Sequence, residues 1–489
     1  MSCEKGIAYA RKYGFLLLCI LLTALCAYVC FARLDYGKIQ NWDEARHGVN
    51  AYEMMRSHNY IVNTYNYQND YFNLKPPLSY WGIMLGFKLF GVNVFGMRFY
   101  AALSMLLTFM LVAFWLYRRA GKAACLTSMF LFLMFHDIFY WHAARNADAD
   151  ALYILLFTIG CLNLIDSVYK PDKLYICGLM FSLCFLAKSW HACVLLPIGG
   201  IFMLGSGLWK KWKLRQYILF VLSAFGPIFL WAIVRYQYDG MAFLGQMFGV
   251  DVTDRIAWSA SSNTDYSFFI KYLFSNTAFL IMLAVAMACL LFLLFMHFST
   301  KNERIAESGD EKKRLHAGLM NPTVLGLALW VFVPLLIFSF SHTYYYWYIF
   351  PIYPAFCIAA SLFVAQCVRL CRSRRSQAVF AGVMVIPFLM VLRSDRITVR
   401  QIDNLEFSGF QQDVQTAMEQ YPQFHGLAFY VQKNDNEYKE SYCWEQAELL
   451  MAELSGDLKC EDGGIEAFLV SADEALLVVD PYFYELNEG

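Results

Sequence analysis

Apolar runs recur along this chain at a length that only a hydrocarbon surrounding explains, and they dictate its fold class. Residues 15–31, 98–117, 123–141, 217–234 and 279–298 approach or reach the roughly 20 residues an α-helix needs to cross a bilayer core of about 30 Å. Runs at 151–169, 174–186, 192–208, 322–340, 348–367 and 378–392 bring the expectation to about eleven spans. The stretches 80–95 and around Tyr344 are either further spans, interfacial or re-entrant, so the expected class is an α-helical polytopic membrane protein of about 11–13 helices. The composition agrees, with 59% hydrophobic, 18% aromatic and 16% charged residues in 489.

Lysine and arginine set the expected orientation. Six connections carry them: Lys5 to Lys12, Arg118 to Lys122, Lys170 and Lys173, Lys210 to Arg215, Lys301 to Arg314, and Arg369 to Arg375. Alternating with the spans, all six fall on one side, which is expected to be cytoplasmic together with the N-terminus. The opposite side then receives residues 33–97, the turn at Arg145 to Asp150, residues 235–271, residues 341–348 and the C-terminal tail. The first apolar run follows a basic start but lacks an evident small-residue cleavage site, so it is expected to stay as a membrane helix. Lys+Arg and Asp+Glu both number 39, and no basic tract lies outside those loops, which sets nucleic-acid binding aside.

Composition changes near residue 393. The expected organisation is a membrane domain over residues 1–392, with a large first outer loop at 33–97, and a small soluble α/β domain over 393–489. In the latter, residues 427–432, 467–471 and 476–480 read as strands and 442–454 as a helix. Cys443 and Cys460 are the two cysteines of this tail, and an oxidising compartment would allow their pairing.

The outer polar segments hold the candidate residues. Asp43 and Glu44 follow Trp42, where a carboxylate serves either as a helix cap or as a site group, and Arg46 lies one turn on. Lys75 precedes Pro76 and Pro77, which force it into extended backbone ahead of an apolar helix, where it meets a lipid phosphate or simply snorkels. Arg145 and Asp148 are three apart and would pair on a helix, leaving Asp150 to meet a cation, a metal or a substrate hydroxyl. Lys188 and His191 are the candidates to supply that charge. Residues 341–348 form an aromatic belt from which His342 and tyrosines such as Tyr345 face the site, and Asp251, Asp254 and Arg255 are weaker candidates. Walker, dinucleotide, zinc-helix and nucleophile-elbow patterns are not evident.

The runs Trp42-Asp43-Glu44-Ala45-Arg46 and Lys75-Pro76-Pro77-Leu78-Ser79-Tyr80-Trp81, then Phe90-Gly91 and Arg98, resemble the C-type-fold (GT-C) polyprenyl-phosphate-sugar-dependent glycosyltransferases. That superfamily includes lipid A aminoarabinose transferases and protein O-mannosyltransferases. Ala144-Arg145 through Asp150-Ala151-Leu152 and Phe340-Ser341 through Tyr348-Ile349-Phe350-Pro351 match later patterns, so the resemblance covers roughly residues 10–370. It implies a donor such as an undecaprenyl-phosphate sugar in a membrane-level cavity and an acceptor outside the cytoplasm: lipid A, another glycolipid, a glycan or a protein. The implied compartment is the bacterial inner membrane, with the catalytic loop and the tail periplasmic.

Carried over by position, the resemblance gives Asp43 the role of catalytic base, with Glu44 beside it, and gives Asp150 that of the acidic residue of the second outer loop. It puts Lys75 at the donor phosphate with Arg46. Where relatives carry a lysine near Thr343 or Tyr344, His342 is the expected substitute, with Tyr345 nearby. Arg145, Asp148 and Lys188 are expected to support these groups. No cofactor is required, and a divalent ion shared by Asp43 and Asp150 stays open. The alternative is a transporter or flippase of a lipid-linked sugar, which internal repeats and charges deep within the helices would favour.

Overall fold

The computed structural model describes residues 2–250, 265–301, 321–341, 344–406, 409–432, 446–471 and 473–479. The first part is helical: α1 (Ser2–Phe31), α2 (Asp43–Arg56), α3 (Leu78–Phe90), α4 (Val94–Ala120), α5 (Lys122–Leu133), α6 (His136–Tyr140), α7 (Asp150–Asp166), α8 (Lys173–Lys188), α9 (Leu195–Gly205), α10 (Leu214–Asp239) and α11 (Ala242–Phe248). There follow α12 (Phe268–Ser275), α13 (Thr277–Lys301), α14 (Pro322–Ser339), α15 (Tyr353–Leu370) and α16 (Arg374–Asp403). Eight segments among the described residues are long and apolar enough to cross a membrane. One of them, Lys173–Gly205, joins α8 to α9 through a 3-10 turn, while α5 and α7 have only 12 and 17 residues. Each of the eleven expected spans overlaps helical structure, the one at 123–141 being divided between α5 and α6.

Helix α4 is central, packing against α1, α3, α5, α7 and α15. Its start is fixed by Asn93, whose side chain accepts from the Gly96 backbone N–H at 2.8 Å. Gly86 of α3 and Gly96 of α4 let two backbones touch, since a Cβ on Gly86 would lie 1.9 Å from the Gly96 carbonyl oxygen. On the rim, Phe229, Leu230 and Ile233 of α10 and Ile386 and Leu389 of α16 are exposed, as suits side chains facing lipid tails.

Charged groups collect at the two ends of the bundle. At one end Asp166 accepts from Arg119 and Lys173, and Arg369 donates to the Ala120 carbonyl. At the other, the first loop folds back as α2 and a short hairpin of β1 (Thr64–Tyr65) and β2 (Gln68–Asn69). Arg98 locks this loop to the bundle. It meets Glu44 at 2.6 Å and donates to the carbonyls of Leu34 and Tyr36 at 3.0 and 2.8 Å.

Beyond α16 come α17 (Gly409–Gln420), β3 (Ala428–Gln432), α18 (Gln446–Gly456), β4 (Lys459–Cys460), α19 (Gly464–Val470) and β5 (Ala475–Val479). The strands form a parallel sheet in the order β4-β3-β5. One expectation needs correction. Residues 467–471, expected as a strand, belong largely to α19, because joining parallel strands requires a crossover and so short an apolar run has no decisive period. The expected boundary at 392/393 falls inside α16, where an apolar helix continues into polar sequence without a break.

Arg98→Leu would leave Glu44 charged and buried without its cation, a loss of about 3–5 kcal/mol. The thermal stability of the purified protein is expected to drop accordingly, and Glu44→Met added to Arg98→Leu to restore most of it. Equal stabilities of wild type and Arg98→Leu would show the pair does not anchor the loop.

Candidate active site

Two chain reversals deliver the site residues. Trp42 adopts a left-handed backbone, φ 69°, and turns the chain sharply so that Asp43 opens α2. Such a conformation at a bulky residue costs of order 1–3 kcal/mol and persists only where its surroundings hold it. Here the Trp42 N–H donates to Gln446 at 3.0 Å. The approach to Lys75 is organised by Asp70, which accepts from both arms of Arg46 at 2.8 and 2.9 Å, from Asn50 at 3.0 Å and from the backbone N–H groups of Phe72 and Asn73. Pro76 and Pro77 then start α3 and leave Lys75 outside it.

Lys75 Nζ bridges Asp43 at 3.2 Å and Asp148 at 3.0 Å. Behind it, His142 Nε2 lies 3.5 Å from Asp43, and its Nδ1 lies 3.4 Å from Asp150 and 3.7 Å from Asp148. Lys188 closes the far side against Asp150. Three carboxylates, two ammonium groups and one imidazole thus form a continuous cluster, charge-balanced when the ring is protonated. Only Asp43, with its side chain 44% exposed, and Lys75, at 18%, reach the surface; Asp148, Asp150 and Lys188 are buried.

Burial alone would push Asp43 up, but the Lys75 ammonium and His142 outweigh it and hold the carboxylate well below the usual range. Asp148 is held down by the same balance of burial against Lys75, and Lys75 is raised because its two carboxylates outweigh burial. Burial would likewise lower His142, yet bonds to Asp150 and Asp43 lift it to about 9. His47, buried nearby, is instead lowered to about 3 by burial and Lys75, and stays neutral between Asn73 at 3.1 Å and Ser79 at 2.8 Å.

Of the residues singled out by sequence, Asp43, Lys75, Asp148, Asp150 and Lys188 meet in this cluster. Glu44 faces Arg98 and also accepts from the Ala147 N–H at 3.2 Å. Arg46 is spent on Asp70 and lies over the Tyr65 and Phe72 rings at 4.0 and 4.6 Å. The expected Arg145–Asp148 pair is absent, because residues 141–149 form turns rather than a helix. Arg145 instead donates to the carbonyls of Val29, Cys30 and Arg33 at the end of α1, while Asp148 meets Lys75. The His191 ring packs against those of Tyr348 and Phe338. Tyr345 is joined to the cluster through stacked rings, 4.6 Å from Trp347, which in turn lies 4.0 Å from His142 and almost parallel to it, at 5°.

His342, Asp251, Asp254, Arg255 and Cys443 lie outside the described residues, and with Cys443 the expected disulfide to Cys460. His142, His47 and Trp347 complete the cluster without having been singled out. For His142 the signal was available: a histidine among the aspartates of residues 141–150.

Atoms of Asp43, His142 and Asp148 lie within 4.8 Å of one another, a spacing that suits three ligands of one divalent ion. The Lys75 ammonium already bridges the same two carboxylates and opposes a second cation there. Asp150, for which an ion shared with Asp43 was left open, is engaged by Lys188.

Residues 74–232, beginning beside Lys75, match the family described as dolichyl-phosphate-mannose-protein mannosyltransferase. An uncharacterised protein of Aquifex aeolicus is 28% identical over 213 residues, 42% of this chain and 48% of that protein. An undecaprenyl phosphate-α-4-amino-4-deoxy-L-arabinose arabinosyl transferase of Pseudomonas savastanoi is 27% identical over 231 residues, 44% of this chain and 41% of the relative. These matches span about half the length of the relatives. In three dimensions, apo ArnT from Cupriavidus metallidurans aligns with a TM-score of 0.67 at 17% identity, covering 97% of this chain and 94% of ArnT.

The chain has the C-type glycosyltransferase fold. The archaeal oligosaccharyltransferase AglB from Archaeoglobus fulgidus, in complex with an inhibitory peptide and a dolichol-phosphate, aligns with a TM-score of 0.50 at 10% identity, over 92% of this chain and 64% of AglB.

His142 is lifted from 6.5 to about 9, so the bonds of its charged form stabilise the fold fully below pH 6.5 and are lost as pH rises through about 9. Melting temperatures of wild type and His142→Gln are therefore expected to converge across that interval. Parallel curves would mean that the ring carries no charge.

Proposed function

We propose that this protein is a membrane glycosyltransferase that moves a sugar from a polyprenyl phosphate of the undecaprenyl type to an acceptor outside the cytoplasm. The observation that carries the reading is the Asp43–Lys75 contact at 3.2 Å, a carboxylate and an ammonium side by side at the one place where the cluster opens. The likeness to ArnT, solved elsewhere bound to undecaprenyl phosphate at a TM-score of 0.61 and 15% identity, supports the choice of donor by its fold. Lipid A, another glycolipid or a protein would serve as acceptor.

In this reading the acceptor hydroxyl gives its proton to Asp43 while its oxygen bonds to the anomeric carbon. The bond from that carbon to the phosphate oxygen breaks, and the lipid phosphate leaves with its charge offset by Lys75. The displacement is direct and inverts the anomeric centre. Donor binding also strengthens the base, because a phosphate that draws the ammonium away weakens the contact that holds the Asp43 carboxylate low. Asp148, His142, Asp150 and Lys188 keep the two reactive groups in place, and Arg46 acts through Asp70 on the loop that carries Lys75. Glu44 serves as the anchor of the loop rather than as a reacting group.

The separation of charges supports an orientation in which the Asp166 end faces the cytoplasm of a bacterial inner membrane. Residues 393–489 would then form a periplasmic unit over the site.

With purified protein in lipid nanodiscs, radiolabelled polyprenyl-phosphate sugars and a membrane extract as acceptor source, Asp43→Asn is expected to lower kcat about 10²–10⁴-fold. Lys75→Ala should lower kcat and also weaken donor binding. Transfer that survives Asp43→Asn unchanged, or no transfer by wild type from any such donor, would refute the assignment.

A further inference from the structure

Two carboxyl groups are buried together where the C-terminal unit meets the first loop. Glu53 lies on α2, about 15 Å along the helix from Asp43, and Glu453 lies on α18; both are fully buried. The two helices run side by side. At one end Asn41 accepts from the Ala447 N–H at 3.0 Å and Gln446 accepts from the Trp42 N–H at 3.0 Å. At the other, Tyr52 donates to Asp457 at 2.5 Å and Arg56 reaches the same carboxylate. Between them Gly48 brings α18 onto the α2 backbone, since a Cβ there would lie 2.8 Å from Leu450.

Glu53 Oε1 accepts from the Tyr67 N–H at 3.0 Å. The Thr64 hydroxyl and the Asn66 N–H also bear on Glu53, whereas neither oxygen of Glu453 has a donor among the described residues apart from the Glu53 carboxyl beside it. As two carboxylates they would repel, with nothing between them to bond; with one proton they form a hydrogen bond. The surroundings offer little to replace that proton. From α2 come Tyr52 and Arg56, the latter engaged by Asp457; from the hairpin, the Thr64 hydroxyl, Tyr65 and Tyr67. From α18 comes Glu448, from just beyond its end Asp457, from β4 the Cys460 thiol beside exposed Lys459, and α17 presents Met418.

We infer that Glu453 is a positioning residue for the proposed transfer: the proton it shares with Glu53 holds α18 on α2, the helix whose first turn presents Asp43. This rests on the reading of Asp43 as the base. Burial, and then the charge of its neighbour Glu53, raise Glu453 well above the ordinary carboxyl range, and burial raises Glu53. For a raised carboxyl the stabilisation is complete below the ordinary carboxyl value and is lost progressively as pH climbs from there through the raised value. Docking is therefore tight in acid and loosens on the alkaline side.

The test is hydrogen–deuterium exchange of peptides from α2 and α18 across pH, on the full-length protein in nanodiscs, alongside kcat and KM. Glu453→Gln keeps an uncharged donor to Glu53 and, measured at each pH, cancels the intrinsic pH dependence of exchange. Relative to it, wild-type protection is expected to fall about tenfold per pH unit from the ordinary carboxyl range up to the raised value, and to level off once the docked pair ionises. Wild-type kcat should follow the same limb with donor KM unmoved, and Glu453→Gln should lose the limb. Glu53→Gln, which places the donor on the other helix, should behave as Glu453→Gln does. If wild type and both variants lose protection in parallel, or if protection falls while kcat does not, the inference is overturned. If no donor yields product yet the exchange curves separate, the transfer reading falls and takes the role of Glu453 in transfer with it, while the proton latch stands.

Discussion

A guanidinium taken out of water must find acceptors for its N–H groups, and Arg98 finds them in parts of the chain far apart in sequence. It stands on the central helix and binds Glu44, two carbonyls of the loop after α1, and through Glu44 the backbone at Ala147. One buried pair therefore fixes the start of α2 against the turn that carries His142 and Asp148. Replacing such a pair by apolar groups is often neutral, whereas breaking it costs several kcal/mol. Its value here lies in registry: it sets where α2 begins, and with it the place of Asp43.

The cluster around Lys75 follows from the same need to neutralise charge in a region starved of water. Asp148 and Asp150 are too deeply buried to stay ionised alone, so each carries a cation, Lys75 and Lys188, and His142 balances the remaining charge. That arrangement leaves the exposed members, Asp43 and Lys75, paired with each other at the mouth. In the proposed transfer the donor phosphate would compete for the ammonium and free the carboxylate as it does so. The flat contact of Trp347 on His142 adds an aromatic face to a charged ring, a favourable placement for a cation.

Much of this was legible in the sequence, for a reason that membranes supply. A charge at the end of an apolar run is costly unless paired, so Asp43, Lys75, Asp148, Asp150 and Lys188 stand out by position, and the cluster indeed joins them. What sequence does not carry is the choice of partner. Arg46, Arg145 and Glu44 are charged and adjacent to the site in sequence, yet each turns to a group set by tertiary packing: Asp70, the end of α1, and Arg98. The i to i+3 pairing of Arg145 with Asp148 presumed a helix where the chain makes turns, and the apolar run at 467–471 was too short for its period to tell strand from crossover helix. Trp347, lying in an aromatic belt, gave no sign that one of its rings would cover a histidine.

The parallel sheet explains why the C-terminal unit can grip α2 at all. Parallel strands need crossovers, and the one between β3 and β4 includes α18, which packs against α2 on one side and α17 on another. A helix covered on several sides has no water to offer its polar groups, so Glu453 must be satisfied by what it touches, and what it touches is Glu53. An apolar residue at 453 would leave no donor unpaired, whereas Glu53 also serves the Tyr67 N–H. A pair of carboxyls can pack together only while protonated, which ties the hold of the C-terminal unit to the acidity of the compartment into which it projects.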